Sequence, residues 1–267
     1  MPSAVVLGSK PGSYAALQLL IDKHWEIKAV VFSDTIQHKF IEGPDISDLA
    51  KKNKIPVYSS QKELPDLTCD FVISYMYRFL VKERVLNFAQ RAAVNFHPGP
   101  LPEFGGWAFY NMAILEQSDE YGCTCHYMDN SFDTGDILKI RRFPIKHQLE
   151  TAVSLERRTQ KEMILLFMEF CELVEIKKPL PRSRQDKDKI RYLSKTEFDD
   201  LKKIPAEADS ETIERIARAF WYPPYECAYI YFNNIKVEVL PESTKNELAK
   251  MYHSNDLQSL LKIISGD

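Results

Sequence analysis

Ala4-Val5-Val6-Leu7-Gly8-Ser9-Lys10-Pro11-Gly12 begins as a short apolar run and breaks at glycine and proline. Tyr14-Ala15-Ala16-Leu17-Gln18-Leu19-Leu20-Ile21 follows with helical spacing, and Ile27 to Phe32 returns to a β-rich run. Strand, loop, helix and strand in that order predict a βαβ unit. The loop lacks the full GxGxxG and P-loop patterns, which argues against a dinucleotide or Walker site. Lys10 stands just past the end of the first strand, where open α/β sheets bind ligands. It either contacts a phosphate there or is an ordinary solvated lysine.

The alternation continues. Asp45 to Lys54 reads as a helix, Ile55 to Tyr58 and Asp70 to Ser74 as strands, Val81 to Phe88 as helical, and Ala92 to Phe96 as a further strand. These elements predict an α/β fold with a Rossmann-like, doubly wound, mostly parallel sheet. Trp107 to Gln117 reads as a helix with Trp107, Asn111 and Leu115 on one face. Tyr121 to Asp129 and Ile137 to Ile145 read as strands, and Thr151 to Ile176 as a long amphipathic helix. From Lys177 to Lys189 the chain turns polar, charged and proline-bearing, as in a solvated connector or a basic strip beside a phosphorylated ligand. The expected organisation is a catalytic domain at 1–180, a linker at 181–209 and a small α+β subdomain at 210–267. In the last, a helix from Ser210 to Trp221, with Ser210 as N-cap, precedes a β-hairpin turning at Asn233-Asn234. Ser254 to Ile264 reads as a short amphipathic helix or docking segment.

A chain of 267 residues can bury a full core. A net charge of -3 with interspersed signs gives no global attraction to nucleic acid or anionic lipid. The N-terminus has no basic region before its short apolar run, and no window of about 18 apolar residues occurs, so neither a signal peptide nor a membrane span is expected. A cytoplasmic location follows as the expectation. The five cysteines form no CxxC pair, and Cys123 and Cys125, two apart on a strand, are expected to be buried packing rather than metal ligands. No metal is expected.

The chemistry concentrates in Asn95-Phe96-His97-Pro98-Gly99-Pro100-Leu101-Pro102 and Phe132-Asp133-Thr134-Gly135-Asp136. Asn95 and His97 are two apart at a strand end and so share a face, while the prolines stiffen the exit. An asparagine amide can donate to a developing oxyanion, and a histidine can take or give a proton near neutral pH. Asp133, arriving from another strand end, can orient the imidazole and stabilise its cation. No serine nucleophile elbow of the GxSxG type is present, so the acyl acceptor is read as the substrate's own amine.

Asn95-Phe96-His97-Pro98-Gly99-Pro100-Leu101-Pro102-Glu103-Phe104-Gly105-Gly106, with Tyr121 to Asp129 and Phe132 to Asp136, resembles the folate-dependent formyltransferases. The resemblance covers residues 1–180 and continues more weakly through Arg218-Ala219-Phe220-Trp221-Tyr222-Pro223-Pro224-Tyr225 and the hairpin. It implies the formyltransferase fold, transfer of a formyl group from N10-formyltetrahydrofolate to an amine, and Asn95, His97 and Asp133 as the catalytic trio. In that scheme Asn95 and protonated His97 stabilise the oxyanion, and the proton leaves the amine through His97 or a water. The folate site implied by the resemblance is Met76, Tyr77, Arg78, Phe79, Leu80 and Asp129 through Asp133, including Phe132.

The acidic Pro102-Glu103-Phe104 turn and the Phe220-to-Tyr225 segment look most like the sugar N-formyltransferases, which act on nucleotide-linked amino sugars such as 4-amino-4,6-dideoxy sugars for surface polysaccharide such as O-antigen lipopolysaccharide. On that reading Lys10, Pro98, Gly99, Trp221, Tyr222 and Tyr225 belong to the substrate site; the three aromatics stack on a nucleotide base or contact phosphate, or else pack at the domain junction. The partners are a nucleotide-linked amino sugar and tetrahydrofolate, without nucleic acid or membrane, in a homodimer joined through the hairpin. The rival readings are a methionyl-tRNA or glycinamide ribonucleotide formyltransferase, and an inactive relative that only binds nucleotide sugar or folate.

Overall fold

The computed structural model describes residues 1–9, 11–33, 45–189 and 193–249. Its main sheet is built from β1 (Ser3–Gly8), β2 (Glu26–Phe32), β3 (Val57–Tyr58), β4 (Cys69–Tyr75), β5 (Ala89–His97), β6 (Glu120–Tyr127) and β7 (Ile137–Pro144). The strand order is β3-β2-β1-β4-β5-β6-β7. The first five run parallel, and β6 and β7 add an antiparallel edge. From β1 the chain steps outward to β2 and β3, then crosses back to β4 and β5. That reversal opens a crevice at the C-terminal ends of β1 and β4, the usual place for a ligand in such sheets. The Rossmann-like, mostly parallel sheet expected from the alternating pattern is therefore present.

Both faces of the parallel part are covered, which is why Ala4 to Leu7 are all fully buried and apolar without alternation. Helix α1 (Pro11–Asp22) starts on a proline, whose missing N–H has no partner to lose at that position. Helix α2 (Ile46–Lys52) is capped reciprocally by Asp45 and Asp48. The run expected to be helical from Val81 to Phe88 keeps only one turn, α3 (Glu83–Leu86). The carbonyl of Phe88 already accepts the Cys69 N–H, so the chain has joined the sheet by that point.

Helix α4 (Phe109–Leu115) begins later than its sequence pattern suggests. Gly106 and Ala108 take φ of 75° and 67°, outside helical space, and leave Trp107 off the helix rather than on one face with Asn111. Helix α5 (Ala152–Glu175), capped by Thr151 and Ser154, lies with α1 on one face of the sheet. Leu17, Leu20, Met163, Phe167 and Phe170 pack there on Val6, Ile73, Val94 and Phe96. On the opposite face Val81, Val85 and Phe88 cover Val5, Leu7 and Val72. Cys123 and Cys125 are buried in the first of these cores, in line with the packing role expected of them.

The 177–189 segment is not a free connector. Ser183 forms a β-bridge with Ile137, their backbone N–H groups exchanging bonds of 2.7 and 2.9 Å. Beyond it come α6 (Lys195–Asp200), α7 (Ser210–Phe220) and a hairpin of β8 (Ala228–Phe232) and β9 (Ile235–Val239). Asn233 and Asn234 turn the hairpin at φ of 48° and 62°, as their side chains allow. Ser210 does not cap α7; the Asp209 carboxylate accepts the Thr212 N–H at 2.8 Å and does so instead. Ile216, Ala219 and Phe220 of α7 share a core with Tyr110, Ile114, Tyr121 and Phe143, which ties this end of the chain to the β6–β7 edge. The expected 254–264 segment lies outside the described residues.

Candidate active site

The C-terminal ends of β4 and β5 floor a cavity of about 310 Å³. Asn95 and His97 project into it from the last residues of β5, where the period of two puts them on one face. Pairing of β5 with β6 is antiparallel, with Asn95 opposite His126 and His97 opposite Thr124. His126 therefore joins the same face. Its Nε2 lies 3.0 Å from Asn95 Nδ2, and its Nδ1 lies 2.8 Å from the Tyr127 carbonyl oxygen.

Asp133 closes the site from the loop after β6. Its φ of 57° is left-handed, an uncommon conformation for a residue with a side chain. Three contacts hold it. Gly106 N–H donates to Oδ2 at 2.9 Å. Gln185 Nε2 donates to the carbonyls of Asp133 and Gly135 at 2.8 and 2.6 Å. Gly135 lies so close to the Tyr127 carbonyl that a Cβ there would come within 1.8 Å of its oxygen. The carboxylate ends between the two imidazoles, with Oδ1 3.5 Å from His97 Nδ1 and 3.5 Å from His126 Nε2.

Burial alone would raise the Asp133 carboxyl, yet the neighbouring groups, His97 first, outweigh it and hold the group at about 2. Burial pulls His97 below its ordinary value, against the opposing pull of Asp133 and the Phe104 carbonyl. With its Nε2 2.7 Å from the Phe104 carbonyl oxygen, the neutral ring carries its proton on that nitrogen. The lone pair on Nδ1 then faces Asp133, and proton uptake there converts a poor contact into an ion pair. The centre is poised to accept a proton and to stabilise the cation that results.

Met76, Tyr77, Arg78, Phe79 and Leu80 line the cavity, as do Asp129 and Phe132. The expected folate residues and the catalytic trio are thus brought around one space. Pro98 also lines it. Gly99 sits behind the floor: a Cβ there would come 2.5 Å from the Phe104 carbonyl oxygen and 2.9 Å from His97 Nε2. Lys10 lies outside the described residues. Trp221, Tyr222 and Tyr225 do not line this cavity. Tyr222 bonds Glu156 and stacks between Tyr110 and Tyr225, at the junction of α4, α5 and the chain end, because α7 delivers it onto that core.

Three contributors were not singled out from sequence. Trp107 lines the cavity with 43% of its surface exposed, its indole N–H bonded to the Leu193 carbonyl and its ring 4.6 Å from that of Phe198. Gln185 lies in a segment whose composition reads as linker. His126 was legible only through the β5–β6 register, which an Asn95-opposite-His126 alignment of the two strands would have exposed.

The formyl transferase family pattern matches residues 9–169. The chain belongs to the formyl transferase family. This family member is 28% identical over 158 residues to methionyl-tRNA formyltransferase of Staphylococcus epidermidis, a match covering 55% of this chain and 51% of that protein. It is 30% identical over 172 residues to GDP-perosamine N-formyltransferase of Brucella melitensis, covering 64% of each. The chain thus spans about half to two thirds of the length of these curated relatives. In fold it is similar to the N-formyltransferase of Helicobacter canadensis, whose structure holds folinic acid and dTDP-3-aminofucose. The TM-score is 0.73 at 22% identity, covering 89% of this chain and 86% of that one.

Proposed function

We propose that this chain moves a formyl group from N10-formyltetrahydrofolate to the amine of a nucleotide-linked amino sugar. The observation that carries the chemistry is one cavity walled by Met76 to Leu80 and floored by Asn95, His97 and Asp133. Tyr77, Phe79 and Phe132 give it apolar walls suited to a flat ring, and Asp129 lies at its edge. The folate supplies a formyl carbon already bonded to a nitrogen that can leave. Asn95 donates to the oxygen that becomes negative when the amine attacks that carbon. His97 takes the proton from the attacking amine onto Nδ1, with Asp133 stabilising the cation, and returns it to the departing N10. The amine gains the formyl group and loses one proton, and N10 gains that proton.

A sugar acceptor is supported by the similarity to the Brucella and Helicobacter proteins, the second of which matches over most of its length. The acidic Pro102-Glu103-Phe104 turn, whose Glu103 pairs with Arg142 at 3.2 Å, suits a polyanionic tRNA poorly. Incubation with N10-formyltetrahydrofolate and a panel of dTDP-, GDP- and UDP-linked amino sugars, with methionyl-tRNA as comparator, tests the reading. Formylation of a sugar supports it, and formylation of tRNA alone overturns it. The hairpin exposes Phe232 and Ile235 at 66% and 64% of their surface, which suits burial against a second copy of the chain. Light scattering that shows a monomer at working concentration removes that part.

A further inference from the structure

We propose that His126 is a positioning residue for Asn95, fixing which way its amide faces and keeping Asp133 available to His97. The proposal rests on the reading of Asn95 as the oxyanion donor. His126 is 2% exposed, and the β5–β6 register sets it directly opposite Asn95. Its Nδ1 faces the Tyr127 carbonyl at 2.8 Å. A carbonyl oxygen can only accept, so the proton belongs on Nδ1, which leaves a lone pair on Nε2. That lone pair lies 3.0 Å from Asn95 Nδ2 and accepts one of its two N–H groups.

The consequence is a choice between two amide orientations. With Nδ2 toward His126, the second N–H of the same nitrogen is left for the cavity that Asn95 lines. Flipped, the amide would oppose its own carbonyl oxygen to the Nε2 lone pair, acceptor against acceptor, and would withdraw the donor from the place where negative charge develops. The same tautomer settles the competition for Asp133. Oδ1 is 3.5 Å from each imidazole, but a lone pair on His126 Nε2 cannot donate to it. The carboxylate is therefore left to stabilise a proton on His97 Nδ1.

His126→Leu keeps the buried volume and removes the acceptor, whereas His126→Gln returns an acceptor on a flexible stem. The leucine variant should lose about tenfold or more in kcat, with the KM for donor and acceptor within about threefold, and the glutamine variant should recover part of the loss. The double variant Asn95→Ala with His126→Leu should be no slower than Asn95→Ala alone, since His126 acts through Asn95. Losses that multiply, or a leucine variant within about twofold of wild type, overturn the proposal. Nitrogen NMR of the histidine-labelled wild-type protein reads the tautomer without any substrate. A protonated Nδ1, with an Nε2 signal that moves in Asn95→Ala, is the expected result, and a protonated Nε2 overturns the proposal. Because that measurement needs no turnover, a failed acceptor assignment leaves it decisive, and it stands even where the leucine variant does not fold.

Discussion

Asn95 and His97 stand on a strand paired along both edges, β4 on one side and β6 on the other, so the backbone ladder alone fixes where their side chains point. Asp133 stands in a loop at φ 57°, placed by one backbone N–H, one glutamine and a glycine with no room for a methyl group. One half of the centre is strand-built and inherits the rigidity of the sheet; the other is loop-built and depends on a few specific contacts. Changes on the loop side are therefore expected to cost activity first, and changes on the strand side to cost stability first.

The largest effect belongs to Asp133→Asn, which keeps shape and removes the charge that supports a cationic His97. A fall of about a thousandfold in kcat is expected, with the fold retained by circular dichroism. Near-normal turnover would remove Asp133 from the chemistry. The same variant tests the electrostatics at equilibrium. The carboxyl is held at about 2 against an ordinary 3.8, so its contribution to stability is present in full above about pH 4 and is lost as pH falls toward 2. At about 1.4 kcal/mol per pH unit this amounts to about 2 kcal/mol. Urea unfolding at pH 5, 4 and 3 should show a shallower acid decline in Asp133→Asn than in wild type. An unchanged decline would assign it to other carboxylates.

Gly135→Ala should come next. The new methyl group would meet backbone, the Tyr127 carbonyl oxygen at 1.8 Å, and only the loop can move. Because Asp133 is two residues away, the displacement should carry the carboxylate off His97 and lower kcat about a hundredfold, with a lower thermal midpoint. A variant with wild-type turnover would show that the loop tolerates the shift and that the comparison between the two supports is misdrawn.

Gln185→Ala removes the two bonds from the side-chain amide to the Asp133 and Gly135 carbonyls but leaves Gly106 N–H on the carboxylate. About a tenfold loss in kcat is expected, with global stability nearly unchanged, measured by initial rates beside a thermal melt. An equal loss in stability with full activity would make Gln185 a fold contact instead.

The same division explains what could be read from sequence. The strand-built half was legible because a period of two and a βαβ alternation are local patterns: Asn95 and His97 were placed on one face and found there. Asp133 was legible as a residue type in a glycine-bearing turn, but its left-handed backbone and its supports were not. Gln185 reaches it from 52 positions away, through a polar segment that looks like solvent-exposed connector. His126 escaped notice because strand register is a property of two strands together. The aromatics at 221–225 carried a composition that suits a ligand, and only the packing of α7 on Tyr110 and Ile114 shows where Tyr222 goes.

Thr124→Val gives the smallest expected effect on activity and the sharpest test of the strand side. Thr124 is fully buried opposite His97, its hydroxyl donating to the Gly99 carbonyl at 2.8 Å and accepting the Leu101 N–H at 3.0 Å. Valine has the same shape and strands both backbone groups in a dry interior, which should cost about 2 to 4 kcal/mol in urea unfolding. The Pro98-to-Leu101 turn it supports lies beyond His97, and the position of His97 itself is set by β5, whose ladder with β4 runs to Phe96 and with β6 to His97. The kcat of the folded protein is therefore expected within about threefold of wild type. A large fall in kcat with little loss of stability would mean that the turn, not the sheet, aims His97, and the strand-built half would then depend on a single side chain as much as the loop-built half does.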